Sequence, residues 1–174
     1  MRELNQLPKY KYHPKPLESG MIIERKGICP VCNKQTDFVY VGPFYSIEEV
    51  EDICPWCIEN GRAASKYDGD FQDANSCDEI PSDEKLDELI HRTPGYSGWQ
   101  QEQWLTHCND FCAFVGYVGW DEIKDIANEL IEDFNRFGFE LKEIQRSLKN
   151  NGHLQGYLFQ CNTCKKHRIH IDCD

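Results

Sequence analysis

Cys29-Pro30-Val31-Cys32, followed after twenty-one residues by Cys54-Pro55-Trp56-Cys57, is the stretch on which the fold turns. A two-residue gap lets both sulfurs of one turn reach a single ion at about 2.3 Å, and the intervening length suffices for a hairpin that returns the second pair to the first. The spacing predicts a four-thiolate zinc site at Cys29, Cys32, Cys54 and Cys57. With every position filled by sulfur no place is left for water, so the ion is expected to be structural. Cys-Pro-x-Cys at a helix start is also how thiol oxidoreductases lower a cysteine pKa, but two such pairs facing one another favour metal.

Between the pairs, Phe38-Val39-Tyr40-Val41 has strand composition, Gly42-Pro43 breaks it, and Ser46 with Glu49 three residues later forms a capping box that predicts a short helix. A second helix opened by Cys54 would make the unit treble-clef-like, although Gly61 would shorten it. Upstream, Pro8, Pro14 and Pro16 among aromatic and basic residues predict an extended strap to Met21, packed onto some other part of the chain. Downstream, Gly61 to Pro81 lacks periodicity and is expected to be loop with one helical turn. Asp68, Asp70 and Asp73 within it have the look of a calcium loop, but a solvated acidic loop is the expectation.

Helical spacing dominates the remainder of the chain. Ser82 caps a helix to about His91 with Leu86, Leu89 and Ile90 on one face, and Pro94-Gly95 ends it. Ile123, Ile126, Ala127, Leu130, Ile131, Phe134 and Phe137 follow the spacing of a buried stripe from Asp121, stopped by Gly138. Leu141, Ile144 and Leu148 mark another helix; Asn151-Gly152 turns the chain; and Tyr157-Leu158-Phe159 with Ile169/Ile171 predicts a closing hairpin. The aromatic set Tyr96, Trp99, Trp104, Phe111 and Phe114 is expected in the core, although Arg92 to Tyr96 and Trp99-Gln100 could rim a recognition surface. The expected fold class is α+β. A small zinc-ribbon or treble-clef-like unit at 1–80 packs with a helical and β-hairpin unit at 81–174, closed by a second zinc knuckle.

That second site begins with Cys161 and Cys164, a tight turn between two strand-like runs that supplies two ligands and needs two more. Cys108 and Cys112, four apart and on one face if helical, are expected to complete it, with His107 or His167 as the alternatives to one sulfur. Cys77 and Cys173 have no such partner and are expected to be ordinary thiols.

Composition limits the functions. Ten cysteines without an apolar leader or a membrane-length stretch predict a soluble, cytoplasmic chain whose thiols stay reduced and bind metal rather than forming disulfides. Thirty acidic against nineteen basic residues give a formal charge of -11, and each tetrathiolate zinc adds about -2. Nucleic acid and membrane are excluded as expected partners, and a basic protein is favoured.

Leu7-Pro8-Lys9-Tyr10-Lys11-Tyr12-His13-Pro14, Gly42-Pro43-Phe44-Tyr45, Cys54-Pro55-Trp56-Cys57-Ile58, Lys66 to Phe71, Arg92 to Tyr96 and Phe114 to Gly119 together resemble the bacterial CbrC family over nearly the whole chain. The resemblance implies a small cytosolic protein linked to colicin tolerance, without established enzymatic activity, whose cysteine pairs are metal ligands. Two functions are expected on these grounds. One is a zinc-stabilised interaction module acting in tolerance or immunity toward a colicin-type toxin. The other is a thiol- or zinc-dependent enzyme using the Cys108/Cys112 region.

Overall fold

Strands β1 (Ile22–Ile28) and β2 (Gln35–Tyr40) form an antiparallel hairpin whose turn is the first cysteine pair. The structure is a computed structural model describing residues 7–174, so the first six residues of the expected strap lie outside it. β1 is not expected from the sequence pattern because Glu24-Arg25-Lys26 interrupts its alternation, and a bulge between Glu24 and Gly27 shifts the register there.

The expected helix at Ser46–Glu49 does not form. Ser46 Oγ donates instead to the Glu48 carbonyl at 2.6 Å, and Ile47 is wholly exposed, so a helix there would have no apolar face to bury. Tyr45 and Asp70 exchange backbone hydrogen bonds of 2.8 and 3.0 Å that pin this loop to the body. The second pair does open a helix, α1 (Pro55–Glu59), with Pro55 at its first position. Gly61 at φ +72° ends it, and α2 (Arg62–Tyr67) follows where loop was expected, burying Ala63 and Ala64 on a segment too short to show a periodic stripe.

Helix α3 (Asp83–Arg92) starts as expected, Ser82 Oγ accepting from the Lys85 N–H at 3.3 Å, and buries Leu89 completely. Two short strands, β3 (Thr106–His107) and β4 (Asp110–Phe111), form a hairpin ahead of the three-stranded antiparallel sheet β5 (Ala113–Val118), β6 (Leu154–Gln160) and β7 (His167–Cys173), in the order β5-β6-β7. The connection from β5 to β6 carries α4 (Trp120–Ile123), a 3-10 turn Ala127–Leu130, α5 (Ile131–Arg136) and α6 (Leu141–Ser147). The helix expected from Asp121 is thus broken, but its stripe survives: Ile123, Ala127, Leu130 and Phe134 are buried against Ile169 and Ile171 of β7, while Ile131 faces outward. The apolar spacing reports what the sheet covers; the helical hydrogen bonding need not be continuous to satisfy it.

Three hydrophobic clusters result, one around the first cysteine pairs, one around Trp104 and Tyr96, and one between α4–α6 and the sheet. The strap joins the first two. Tyr10 lies in the first cluster with its hydroxyl donating to Pro55 O at 2.7 Å, and Tyr12 lies in the second with its hydroxyl donating to Asp110 Oδ1 at 2.8 Å. His13 is fully buried beside them, with Nδ1 2.8 Å from Pro94 O and its ring edge-on to Phe114. Of the expected aromatic core, Tyr96, Trp104, Phe111 and Phe114 are wholly buried, whereas Trp99 is about half exposed. Among the described residues no helix is long and apolar enough to cross a membrane.

Candidate metal centres

Both cysteine turns are built alike. Cys29 N–H donates to Lys34 O at 3.0 Å and Asn33 N–H returns to Cys29 O at 2.8 Å; Cys161 N–H donates to Lys166 O at 2.9 Å and Lys165 N–H returns to Cys161 O at 3.1 Å. Asn33 and Lys165, each four residues after its first cysteine, sit at φ 56° and 66°. That left-handed residue folds the chain back so that both sulfurs of the turn reach one site, and after glycine a short amide such as Asn33 tolerates it best.

In the first centre the second pair arrives at the start of α1, with Cys54 extended just before the helix and Cys57 in its first turn. The four ligand atoms of Cys29, Cys32, Cys54 and Cys57 lie within 4.8 Å of one another, and Cys29, Cys54 and Cys57 are buried in the first hydrophobic cluster. Contact with the Cys54 thiol, aided by the Cys54 N–H at 3.3 Å, holds Cys29 down to about 4, while that same contact pushes Cys54 up. Burial pushes Cys57 up to about 12. Four sulfurs this close, three of them buried, cannot all ionise side by side without a cation between them, so the donor set fits a thiophilic ion.

The second centre gathers His107, Cys108, Cys161 and Cys164, again within 4.8 Å. Cys108 and Asn109 form the two-residue turn between β3 and β4, both at positive φ, 52° and 56°. Such a turn exposes successive side chains at the tip, which lets neighbouring residues contribute to one site. His107 Nδ1 lies 3.2 Å from Cys108 Sγ and 3.3 Å from Cys164 Sγ, so Nδ1 is the ring nitrogen placed to serve as a ligand. Burial alone would raise Cys161; the N–H groups of Cys164 and Thr163 and the contact with His107 outweigh it and hold it down to about 6. The Cys164 sulfur pushes Cys108 up to about 11.

Cys112 is not in this group, which corrects the expected ligand set. It is wholly buried in the second hydrophobic cluster, its N–H donates to Leu105 O at 2.9 Å, and its carbonyl accepts the Trp104 indole N–H at 2.9 Å. The helical i, i+4 geometry expected of Cys108 and Cys112 fails because this stretch is a hairpin: Cys108 is at its tip, and Cys112 lies just past β4. His107, expected only as a substitute for one sulfur, takes the position. Asn109-Asp110, turn-favouring residues next to Cys108, are the signal in the sequence for that hairpin.

Elsewhere, Asp68, Asp70 and Asp73 do not converge. His91 takes Asp70 at 3.1 Å, and Asp73 caps the Ala74–Ser76 turn. Glu79 occupies the twelfth position from Asp68, but the sixth is Asp73 where a calcium loop requires glycine. No disulfide joins any of the ten cysteines; Cys77 is half-buried and Cys173 exposed.

Both centres and the strap that joins their surroundings fall within a single family model, described as "Uncharacterised protein family (UPF0167)", which matches residues 7–173. The chain belongs to the UPF0167 family. Similar relatives include UPF0167 protein Mb2317 of Mycobacterium bovis, 39% identical over 96% of this chain and 94% of the relative, and UPF0167 protein PA1536 of Pseudomonas aeruginosa, 38% identical over 97% of each. No solved structure matches. This membership replaces the CbrC assignment read from the motifs: the match over residues 7–173 is to UPF0167, and nothing in the comparisons points to CbrC. The expectation of colicin tolerance rested on that assignment and loses its support with it.

Proposed function

We propose that the protein is a zinc-stabilised interaction module that receives a basic protein partner. The observation that carries this is closure: each centre brings four soft donors within 4.8 Å, which suits a tetrahedral ion and leaves no fourth-position water to activate. Zinc fits four sulfurs, or three sulfurs and an imidazole, better than the harder divalent ions do. A cysteine turn paired with a second pair at a helix start is the treble-clef-like arrangement, and Cys161–Cys164 between β6 and β7 is the knuckle-like one. Bound at these residues the ions would supply folding energy rather than chemistry.

The partner's class rests on charge. Glu48, Glu49 and Glu51 follow the fully exposed Ile47, and Glu79, Asp83 and Glu84 add exposed acids further along the chain, whereas Asp52 is paired with Arg25. A formal charge of -11 and the thiolates of both centres make a field that steers cations. Asp78, by contrast, is spent inside the molecule on Arg136 at 2.7 Å and Arg168 at 3.1 Å.

Elemental analysis of protein purified without chelator should return two zinc ions per chain. Iron with visible absorbance would replace zinc by a cluster-type assignment. Partners captured from the native host should be basic and should associate more slowly as salt rises, screening acting over about 8 Å at physiological ionic strength. Replacing Glu48, Glu49 and Glu51 together by Lys should slow association more than it speeds dissociation. An association rate indifferent to both salt and these reversals would sink the electrostatic reading.

A further inference from the structure

The loop before β3, the turn between α5 and α6 and the end of β7 enclose a cleft of about 430 Å³ that contains no ligand of either metal centre, lined in part by Gln103, Leu105, Arg136, Phe137, Phe139 and Asp172. That volume falls in the range of sites that hold a small molecule, with apolar surface for bulk and a few polar groups for orientation. Both kinds of surface are present here, and two of the polar groups carry opposite charges.

Asp172 supplies the negative charge. It is 7% exposed, and its carboxylate accepts only from neutral donors, the Tyr157 hydroxyl at 2.7 Å and the Gln100 N–H at 3.0 Å. No lysine, arginine or histidine pairs with it among the described residues, whereas the neighbouring carboxylates Asp78 and Asp133 both have their arginines. A carboxylate this buried is costly to keep ionised unless a cation meets it.

Arg136 supplies the positive charge. Its Nη2 pairs with Asp78 at 2.7 Å, but that carboxylate is shared with Arg168 at 3.1 Å, and Nε and Nη1 of Arg136 have no partner among the described residues. The side chain is 54% exposed, so these donors are open to a second carboxylate.

Packed rings join the two charges. Phe137, next to Arg136, meets His170 edge-on at 5.3 Å; His170 stacks on Tyr157 at 5.7 Å and lies on the same face of β7 as Asp172, two residues on. His170 Nε2 is enclosed, so the ring serves as wall and not as a hydrogen-bond partner. A lone cation entering this cleft would meet Arg136, a lone anion would meet Asp172, and a neutral molecule would leave both without a counter-charge. A molecule with an ammonium and a carboxylate on one apolar body satisfies each.

We propose that this cleft binds a free α-amino acid with an apolar side chain, its ammonium on Asp172, its carboxylate on Arg136 and its side chain against Leu105, Phe137 and Phe139. The site depends neither on the metal centres nor on the basic partner proposed above.

L-Leucine, L-methionine, L-phenylalanine and L-tryptophan, each to millimolar concentration, would be titrated into the metal-loaded protein by calorimetry, beside the N-acetyl and amide forms of each, which lack the ammonium and the carboxylate in turn. At least one amino acid should bind one-to-one and at least about 10-fold more tightly than either of its blocked forms, the loss expected when one partner of a charge pair is removed. Arg136→Gln, at an exposed position, should erase the advantage of the free amino acid over its amide form, a change that mere damage to the fold would not give. Asp172→Asn should erase its advantage over the N-acetyl form; if that variant fails to fold, Arg136→Gln decides. Absence of binding by all four amino acids, blocked forms that bind as tightly as the free one, or binding unmoved by Arg136→Gln would overturn the proposal.

Discussion

The two four-donor centres share one turn geometry and differ in depth. In the first, Cys29, Cys54 and Cys57 are buried in a hydrophobic cluster with Ile53, Ile58 and Phe38, so the sulfurs are also core residues. In the second, Cys108 and Cys164 are exposed and only Cys161 is buried. The same local chemistry therefore serves two ends. At the first centre, the binding of an ion and hydrophobic collapse would be one event, because neither the β1–β2 hairpin nor the five-residue α1 can bury its apolar face without the other. At the second, an ion would staple a hairpin of two-residue strands to the rim of a sheet that already has its own core. Depth, more than ligand identity, decides how much of the fold depends on the ion.

The sharpest way to break this comparison is Cys54→Ser. Structural zinc contributes roughly 10–16 kcal/mol of apparent binding energy, comparable to or above the whole stability of a domain, so the first unit should unfold or aggregate. Circular dichroism and metal content would both fall. A well-folded Cys54→Ser protein lacking only some activity would mean that the first centre is not structural.

Cys164→Ser should act more mildly. The second ion should bind at least about 100-fold more weakly, beyond the effect of an outer-shell change, while the first stays in place and the chain remains folded. Chelator added to the unaltered protein should likewise release metal in two phases, one fast and one slow, as followed by a colorimetric zinc indicator. A single phase would show that depth does not distinguish the centres.

The strap that links the centres carries its own signature. Burial holds His13 at about 4 against an ordinary 6.5, so the unfolded chain takes up the proton first as pH falls. Stability from this group is fully present above about pH 6.5 and is lost down to about pH 4, with a slope of at most about 1.4 kcal/mol per pH unit. Denaturant melts of His13→Gln should lack that component of the slope, whatever the metal ligands do in the same range.

The smallest effect is expected at Cys112→Ala. Removing one buried sulfur should cost about 1 kcal/mol, or roughly 2–4 °C in melting temperature, and leave two ions bound. Loss of the second ion in this variant would restore Cys112 as a ligand in place of His107.

Much of the fold is readable along the chain, and the failures share a cause. The first cysteine pairs, the Ser82 cap, the stripe from Ile123 to Phe134 and the closing hairpin are set by contacts within a few residues or by spacing, and they lie where expected. The helix at Ser46 fails because a capping box supplies hydrogen bonds but no surface to cover, and β1 is hidden because its bulge masks the period of two. Helical spacing points Cys112 to the second centre, and a type of turn, not a residue type, overrules it.

By itself the sequence determined that four sulfurs would meet at Cys29, Cys32, Cys54 and Cys57, since a two-residue gap constrains a pair wherever it sits. Tertiary structure decided that His107, not Cys112, completes the second centre, and left His170 Nε2 without a partner among the described residues. Both depend on segments far apart in the chain: His107 meets Cys164 across fifty-seven positions, and His170 borders a cleft whose other walls come from residues 100–105 and 136–139. Local propensities act over a few residues, whereas such meetings are set by which apolar faces the whole chain must bury together.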